Sequence, residues 1–216
     1  MNILIITTLA VGGSTVSGVI LGLLIRTIPR KYNDAVLGAA ACIMLGAAVI
    51  GLILPAAGGR TPHALILTVT GVFCGAILGS LLDRMTPHLH RLAGPDQESH
   101  SRNQGISRIL LFTAAIALHK FPEGVAAGVS FGSGELENVL TVAGSISLQN
   151  IPETMVIVGP LLAAGVSMRR TVLISLGIGM IGMAGTLTGY ALVSWTVRLM
   201  PFMLALAGGE HALCHQ

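Results

Sequence analysis

Ala117-Leu118-His119-Lys120-Phe121-Pro122-Glu123-Gly124 stands in the middle of a long apolar run. Thirty residues on from its histidine stands an echo, Leu148-Gln149-Asn150-Ile151-Pro152-Glu153, inside another. Both have one form: a side chain able to bind a metal, two residues, proline, glutamate. No other apolar run in the chain carries a charge in its interior. Ionisable groups inside such runs are costly and are kept for function. These two stretches therefore read as facing helices of a membrane bundle, with their polar groups turned inward.

The rest of the chain agrees. Its 216 residues are 53% hydrophobic and only 10% charged, with 28 glycines, and the mean hydropathy is +0.83. A soluble domain is about 25% charged. The net charge of +3 does not indicate nucleic acid, because the basic residues lie in short loops between apolar runs, where membrane topology explains them. Cys42, Cys74 and Cys214 have no paired spacing and read as packing residues rather than a disulfide or zinc knuckle. No cleavable signal peptide pattern is present, since the positive charges follow the first run instead of preceding it.

The fold class is thus all-α, a polytopic membrane helix bundle forming one transmembrane domain over residues 1–216. Six full spans are expected at about 3–25, 35–54, 64–82, 108–131, 139–164 and 171–195, with a partial seventh at 199–209. Gly18-x-x-x-Gly22 and Gly71-x-x-x-Gly75-x-x-x-Gly79 favour close helix contact. Residues 83–107 form the one extended hydrophilic loop, with His88, His90 and His100 read as solvated. Glu210 to Gln216 is read as a departure from the seventh helix. With the N-terminus outside, the inner loops carry nine basic residues (Arg26, Arg30, Lys31, Arg84, Arg91, Arg102, Arg108, Arg169, Arg170) and the outer loops two, Arg60 and Arg198. That bias predicts a cell-membrane, multi-pass protein with an extracytoplasmic N-terminus and residues 83–107 in the cytoplasm.

Residues four apart share a helix face. His119 and Glu123 on one helix, with Gln149 and Glu153 on the other, offer one imidazole, two carboxylates and one amide oxygen. Such a nitrogen-and-oxygen set suits Zn²⁺, Fe²⁺, Mn²⁺ or Cd²⁺ and is too hard for copper(I). Pro122 and Pro152 each remove a hydrogen bond, to the carbonyls of Leu118 and Leu148, and are read as helix breakers at the ion site. Lys120, too deep to snorkel, requires a carboxylate partner, with Glu123 or Glu153 the candidates. Its fixed charge beside the ligands would repel a second ion, so it is read as a modulator limiting the site to one metal. The bland reading makes His119 a helix-contact residue and Gln149 and Asn150 interhelical hydrogen-bonding groups; it leaves both glutamates unexplained.

On His119-Lys120-Phe121-Pro122-Glu123-Gly124 and Gln149-Asn150-Ile151-Pro152-Glu153 the chain resembles the ZIP (zinc/iron permease) family of metal transporters, its bacterial members above all. Ala40-Ala41-Cys42-Ile43-Met44-Leu45-Gly46-Ala47 through Leu54-Pro55, and Asp83-Arg84 with Pro87-His88-x-His90, are similar to that family's second and third spans. The resemblance implies eight helices with both termini outside, uptake of Zn²⁺ and similar ions into the cytoplasm, and a metal between the fourth and fifth helices. Relatives with two adjacent sites carry Asn where this chain has Lys120, and a sixth-span glutamate where it has apolar residues and glycines. Only the first site therefore carries over: His119, Glu123, Gln149 and Glu153. Asn150 matches a second-site position beside the ion.

The expected function is divalent-metal uptake. No Gly-x-x-x-x-Gly-Lys-Ser/Thr loop is present, so transport without ATP is expected. The metal is substrate, and no prosthetic group is expected. The expected partners are the ion, the lipid bilayer and a second copy in a homodimer, with no nucleic acid. Two other readings stand beside this one. One is an intramembrane metalloenzyme, disfavoured because His-Glu-x-x-His and a Ser or Cys nucleophile beside His119 are absent. The other is a shortened metal-binding remnant without transport.

Overall fold

The structure is a computed structural model that describes residues 2–25, 33–58, 61–85, 117–163 and 165–213. All regular structure among them is helical. Helix α1 is Asn2–Ile25. Helix α2, Asn33–Gly46, runs on through a π-helical segment, Ala47–Ile53, into a last α turn, Leu54–Ala57. Helix α3 is Pro62–Met85, α4 covers 117–129 and passes into a 3₁₀ turn at Ser130–Ser133, and α5 is Leu136–Ala163. Helix α6, Met168–Ala191, is followed by the short turns Val193–Thr196 and Val197–Leu199 and by α7, Met200–Leu213. Residues 86–116, which include the histidine-bearing loop and the first part of the fourth run, lie outside the described residues.

Local sequence sets several of the helix ends. The Thr61 hydroxyl accepts the Ala64 N–H at 3.2 Å at the start of α3, and Ser167 caps α6 by accepting from the Arg170 N–H; both occupy the orphan donors of a first turn. Helix α5 closes with Gly165 at φ +82°. Its N–H reaches the Leu162 carbonyl at 3.0 Å while the Val166 N–H reaches that of Leu161 at 3.0 Å, a left-handed cap that glycine adopts without a Cβ penalty.

The burial pattern departs from that of a water-soluble protein. Thr15, Lys120, Glu123, Gln149, Asn150 and Glu210 are buried, whereas Phe73, Leu173, Met180 and Trp195 are exposed, Trp195 to 86%. Apolar side chains outward and polar ones inward is the arrangement a hydrocarbon solvent favours. Helix α1, Pro62–Leu81 within α3, and α6 are long and apolar enough to cross a membrane. Helix α5, at 28 residues, has the length but carries Glu137, Gln149, Asn150 and Glu153.

Helix α1 lies on α5 and α6, α3 lies along α7, and the π segment touches both α5 and α7. An apolar core of Val11, Leu52, Ala126, Ile146, Leu204 and Ala205 joins these groups. The contacts are close because glycines remove side chains from them. A Cβ at Gly185 would meet the Phe121 carbonyl and one at Gly189 that of Val125, across the α4–α6 seam. The face Gly71, Gly75 and Gly79 receives the backbone of α7 at Phe202, Leu206 and Glu210 in steps of four residues.

Three expectations require correction. The second helix does not end before Pro55 but continues to Ala57; the wide π turn immediately before Pro55 lies where a proline ring would otherwise meet the carbonyl of Gly51. Helical geometry also runs unbroken through Pro122 and Pro152, since loss of one N–H can be absorbed by a helix packed on its neighbours. The seventh helix does not stop at residue 209: it continues through Glu210 to Leu213, held against α3. In addition, Cys42 and Cys74 are free and exposed, on the outer surface of the chain rather than in its packing; Cys214 lies outside the described residues.

Candidate metal centre

Lys120 is the hub. Its side chain is 1% exposed and its ammonium donates to Glu123 Oε2 at 2.7 Å, to Asn150 Oδ1 at 2.6 Å and to Glu153 Oε2. An ammonium has three hydrogens, and all three meet an acceptor. One carboxylate comes from its own helix three residues on, and the other two acceptors from α5. The ammonium thus ties α4 to α5 through one carboxylate, Glu153, and one amide oxygen, Asn150. Counted as ionised, two carboxylates and one ammonium leave a formal charge of −1 in a buried setting, which favours a further cation.

Asn150 carries the network to a third helix. Its amide nitrogen donates to the Val11 carbonyl at 3.1 Å and to Ser14 Oγ at 3.2 Å, while the Ser14 hydroxyl donates to the same carbonyl at 2.8 Å. Both ends of the amide are therefore engaged, the oxygen by Lys120 and the nitrogen by α1. Asn150, expected beside the ion, brackets Lys120 to α1. Gln149 is fully buried on the same helix, and Glu153, with a side chain 12% exposed, is the more open of the two carboxylates.

His119 stands apart from this network. Its Nδ1 contacts Oε1 of Glu210, across to α7; the imidazole is 13% exposed and the carboxylate fully buried. Glu210 is the residue that sequence reasoning missed. The signal was there in the four-residue step Phe202, Leu206, Glu210, which places it on the α7 face that meets the glycines of α3.

Sequence reasoning grouped His119, Glu123, Gln149 and Glu153 as ligands. The structure gathers Glu123 and Glu153 about one point, but that point is the Lys120 ammonium. Among the described residues no three His, Cys, Asp or Glu side chains stand together as a ready metal cluster. The reason is electrostatic: the ammonium occupies the position between the carboxylates, and the imidazole is drawn to Glu210. Glu135 and Glu137 are exposed at the start of α5, where Glu135 accepts from Asn138 at 2.8 Å, and take no part.

Comparison with known proteins gives the family. The sequence profile of the family described as ZIP Zinc transporter matches residues 88–210, which takes in both proline–glutamate motifs and Glu210. The zinc transporter ZIPB of Bordetella bronchiseptica is 35% identical over 202 residues, 91% of this chain and 64% of its own length. The zinc transporter GufA of Myxococcus xanthus is 34% identical over 211 residues, 95% of this chain and 82% of its own length. The zinc transporter ZupT of Shigella dysenteriae is 35% identical over 199 residues, 91% of this chain and 74% of its own length. The chain thus spans just under two thirds of the first of these and more of the others. With the profile over its second half and identity above one third along nearly all of its length, the chain belongs to the ZIP zinc transporter family.

Proposed function

We propose that this chain is a multi-pass membrane transporter that carries Zn²⁺, or a similar divalent ion, into the cytoplasm through one metal site between α4 and α5. The observation that carries the reading is the pair of carboxylates, Glu123 and Glu153, brought from two helices to one buried point. Their net negative charge and oxygen chemistry suit a divalent cation, and the family membership makes transport the reading rather than catalysis. His119 and Gln149 complete the proposed ligand set. Lys120 holds the carboxylates together in the metal-free protein and yields to the arriving ion, while its charge excludes a second one. The basic residues, with Arg169 and Arg170 exposed at the start of α6, support a cytoplasmic position for that end and an outside N-terminus.

Uptake of radioactive zinc into vesicles carrying the full chain tests the reading. His119→Ala and Glu153→Ala are each expected to lower uptake at least tenfold. Equal uptake by the wild type and both variants would sink the proposed site.

A further inference from the structure

Glu210 poses a problem that the proposed ligand set does not solve. Its carboxylate is fully buried. Apart from the His119 contact, neither oxygen has a hydrogen-bond partner among the described residues. A buried carboxylate is strongly unfavourable unless a donor or a cation faces it. Its position is nevertheless built in: Gly75 and Gly79 of α3 leave room for the Glu210 backbone and side chain, where a Cβ at Gly75 would lie 2.8 Å from the Glu210 nitrogen and one at Gly79 3.6 Å from its Cγ.

What faces it is Nδ1 of the His119 imidazole, whose other nitrogen has no partner among the described residues. An imidazole bound to a metal through one nitrogen is oriented by a hydrogen bond from the other, most often to a carboxylate, and loss of that partner weakens metal binding about 10–100-fold. The neutral ring has a donor at one nitrogen and a lone pair at the other, and the partner decides which is which. We infer that Glu210 is a positioning residue for His119: it accepts the Nδ1–H, fixes that tautomer, and leaves Nε2 as the lone pair that binds the ion. The inference rests on the metal-site reading above. It gives α7 a part in a site otherwise assembled from α4 and α5, because the ring orientation depends on how α7 lies against α3.

The test uses the purified full chain labelled with [¹⁵N]histidine, with zinc as the probe in an equilibrium titration. In the metal-free wild type the His119 signal, identified by its loss in His119→Gln, is expected to show the Nδ1-protonated tautomer, with Nε2 shifting as zinc is added. Glu210→Leu is expected to mix the tautomers and weaken zinc binding about 10–100-fold at unchanged stoichiometry. Glu210→Gln keeps an acceptor oxygen of the same shape, so it retains the tautomer with a smaller loss of affinity; it decides the matter if the leucine variant does not fold. Wild-type affinity in Glu210→Gln together with a folded Glu210→Leu of wild-type affinity overturns the inference, as does wild-type affinity in Glu210→Gln alone if Glu210→Leu does not fold. A fall in stoichiometry also overturns it, since Glu210 would then be a ligand itself. Glu123→Ala separates the two levels: if it too binds zinc like the wild type, the metal-site reading itself has failed.

Discussion

Lys120 shows how one residue can hold a site together and compete for it. In the metal-free protein its ammonium meets Glu123, Asn150 and Glu153, so removing it leaves two carboxylates close together without their cation. Breaking a buried ion pair in this way costs about 3–5 kcal/mol. Lys120→Asn is therefore expected to melt well below the wild type in chelator and to recover more than the wild type when zinc is added. Bound zinc should also rise above one per chain; a thermal melt and a metal titration read the two effects, and unchanged stoichiometry would count against the single-ion reading. That Lys120 needs a carboxylate was legible from its depth in an apolar run. That it takes both, together with the Asn150 amide, was not, because the choice depends on where α5 places its groups in space. Asn150 makes the same point, since nothing local in its motif indicates that its nitrogen reaches Val11 and Ser14.

Glycine spacing decides how the elements meet. The steps Gly18–Gly22 and Gly71–Gly75–Gly79 were readable as contact faces, but their partners were not. Gly18 and Gly22 lie on α5 at Ile151, Thr154 and Val158, while the second face receives α7. At Gly75 a Cβ would lie 2.0 Å from the Leu206 carbonyl oxygen, which is backbone and cannot rotate away. Gly75→Val is therefore expected to push α7 outward and destabilise the fold by about 1–3 kcal/mol. Gly144, which has no neighbour within 4 Å of a Cβ, provides the control. Melting temperatures of Gly75→Val and Gly144→Ala in the same detergent make the comparison, and equal values would contradict the close seam. The prolines mislead at this scale: a missing N–H can be read from sequence, whereas the packing that carries a helix through it cannot.

At the scale of the molecule, the described residues bury several charged groups and expose many large apolar ones, which marks the bilayer as the solvent. The proposed orientation in that bilayer rests on basic-residue placement alone, and it is open to direct measurement. In a background with Cys42, Cys74 and Cys214 replaced by alanine, a cysteine at the exposed Glu135, ahead of α5, should react with a membrane-impermeant thiol reagent on intact cells. One at the exposed Arg169, at the start of α6, should react only after permeabilisation. The reverse pattern would turn the molecule over in the membrane and change the proposed direction of uptake.

The apolar runs, their basic borders and the doubled proline–glutamate motif were enough to determine a helical membrane protein with paired ionisable motifs on α4 and α5, because hydropathy and four-residue spacing are local properties of the chain. The tertiary structure alone decided that the two carboxylates close on Lys120, that Asn150 ties this centre to α1, and that Glu210 arrives beside His119 from α7. Apart from the Lys120–Glu123 pair, these contacts join residues tens of positions apart, and they depend on which helices pack together, which no local pattern specifies.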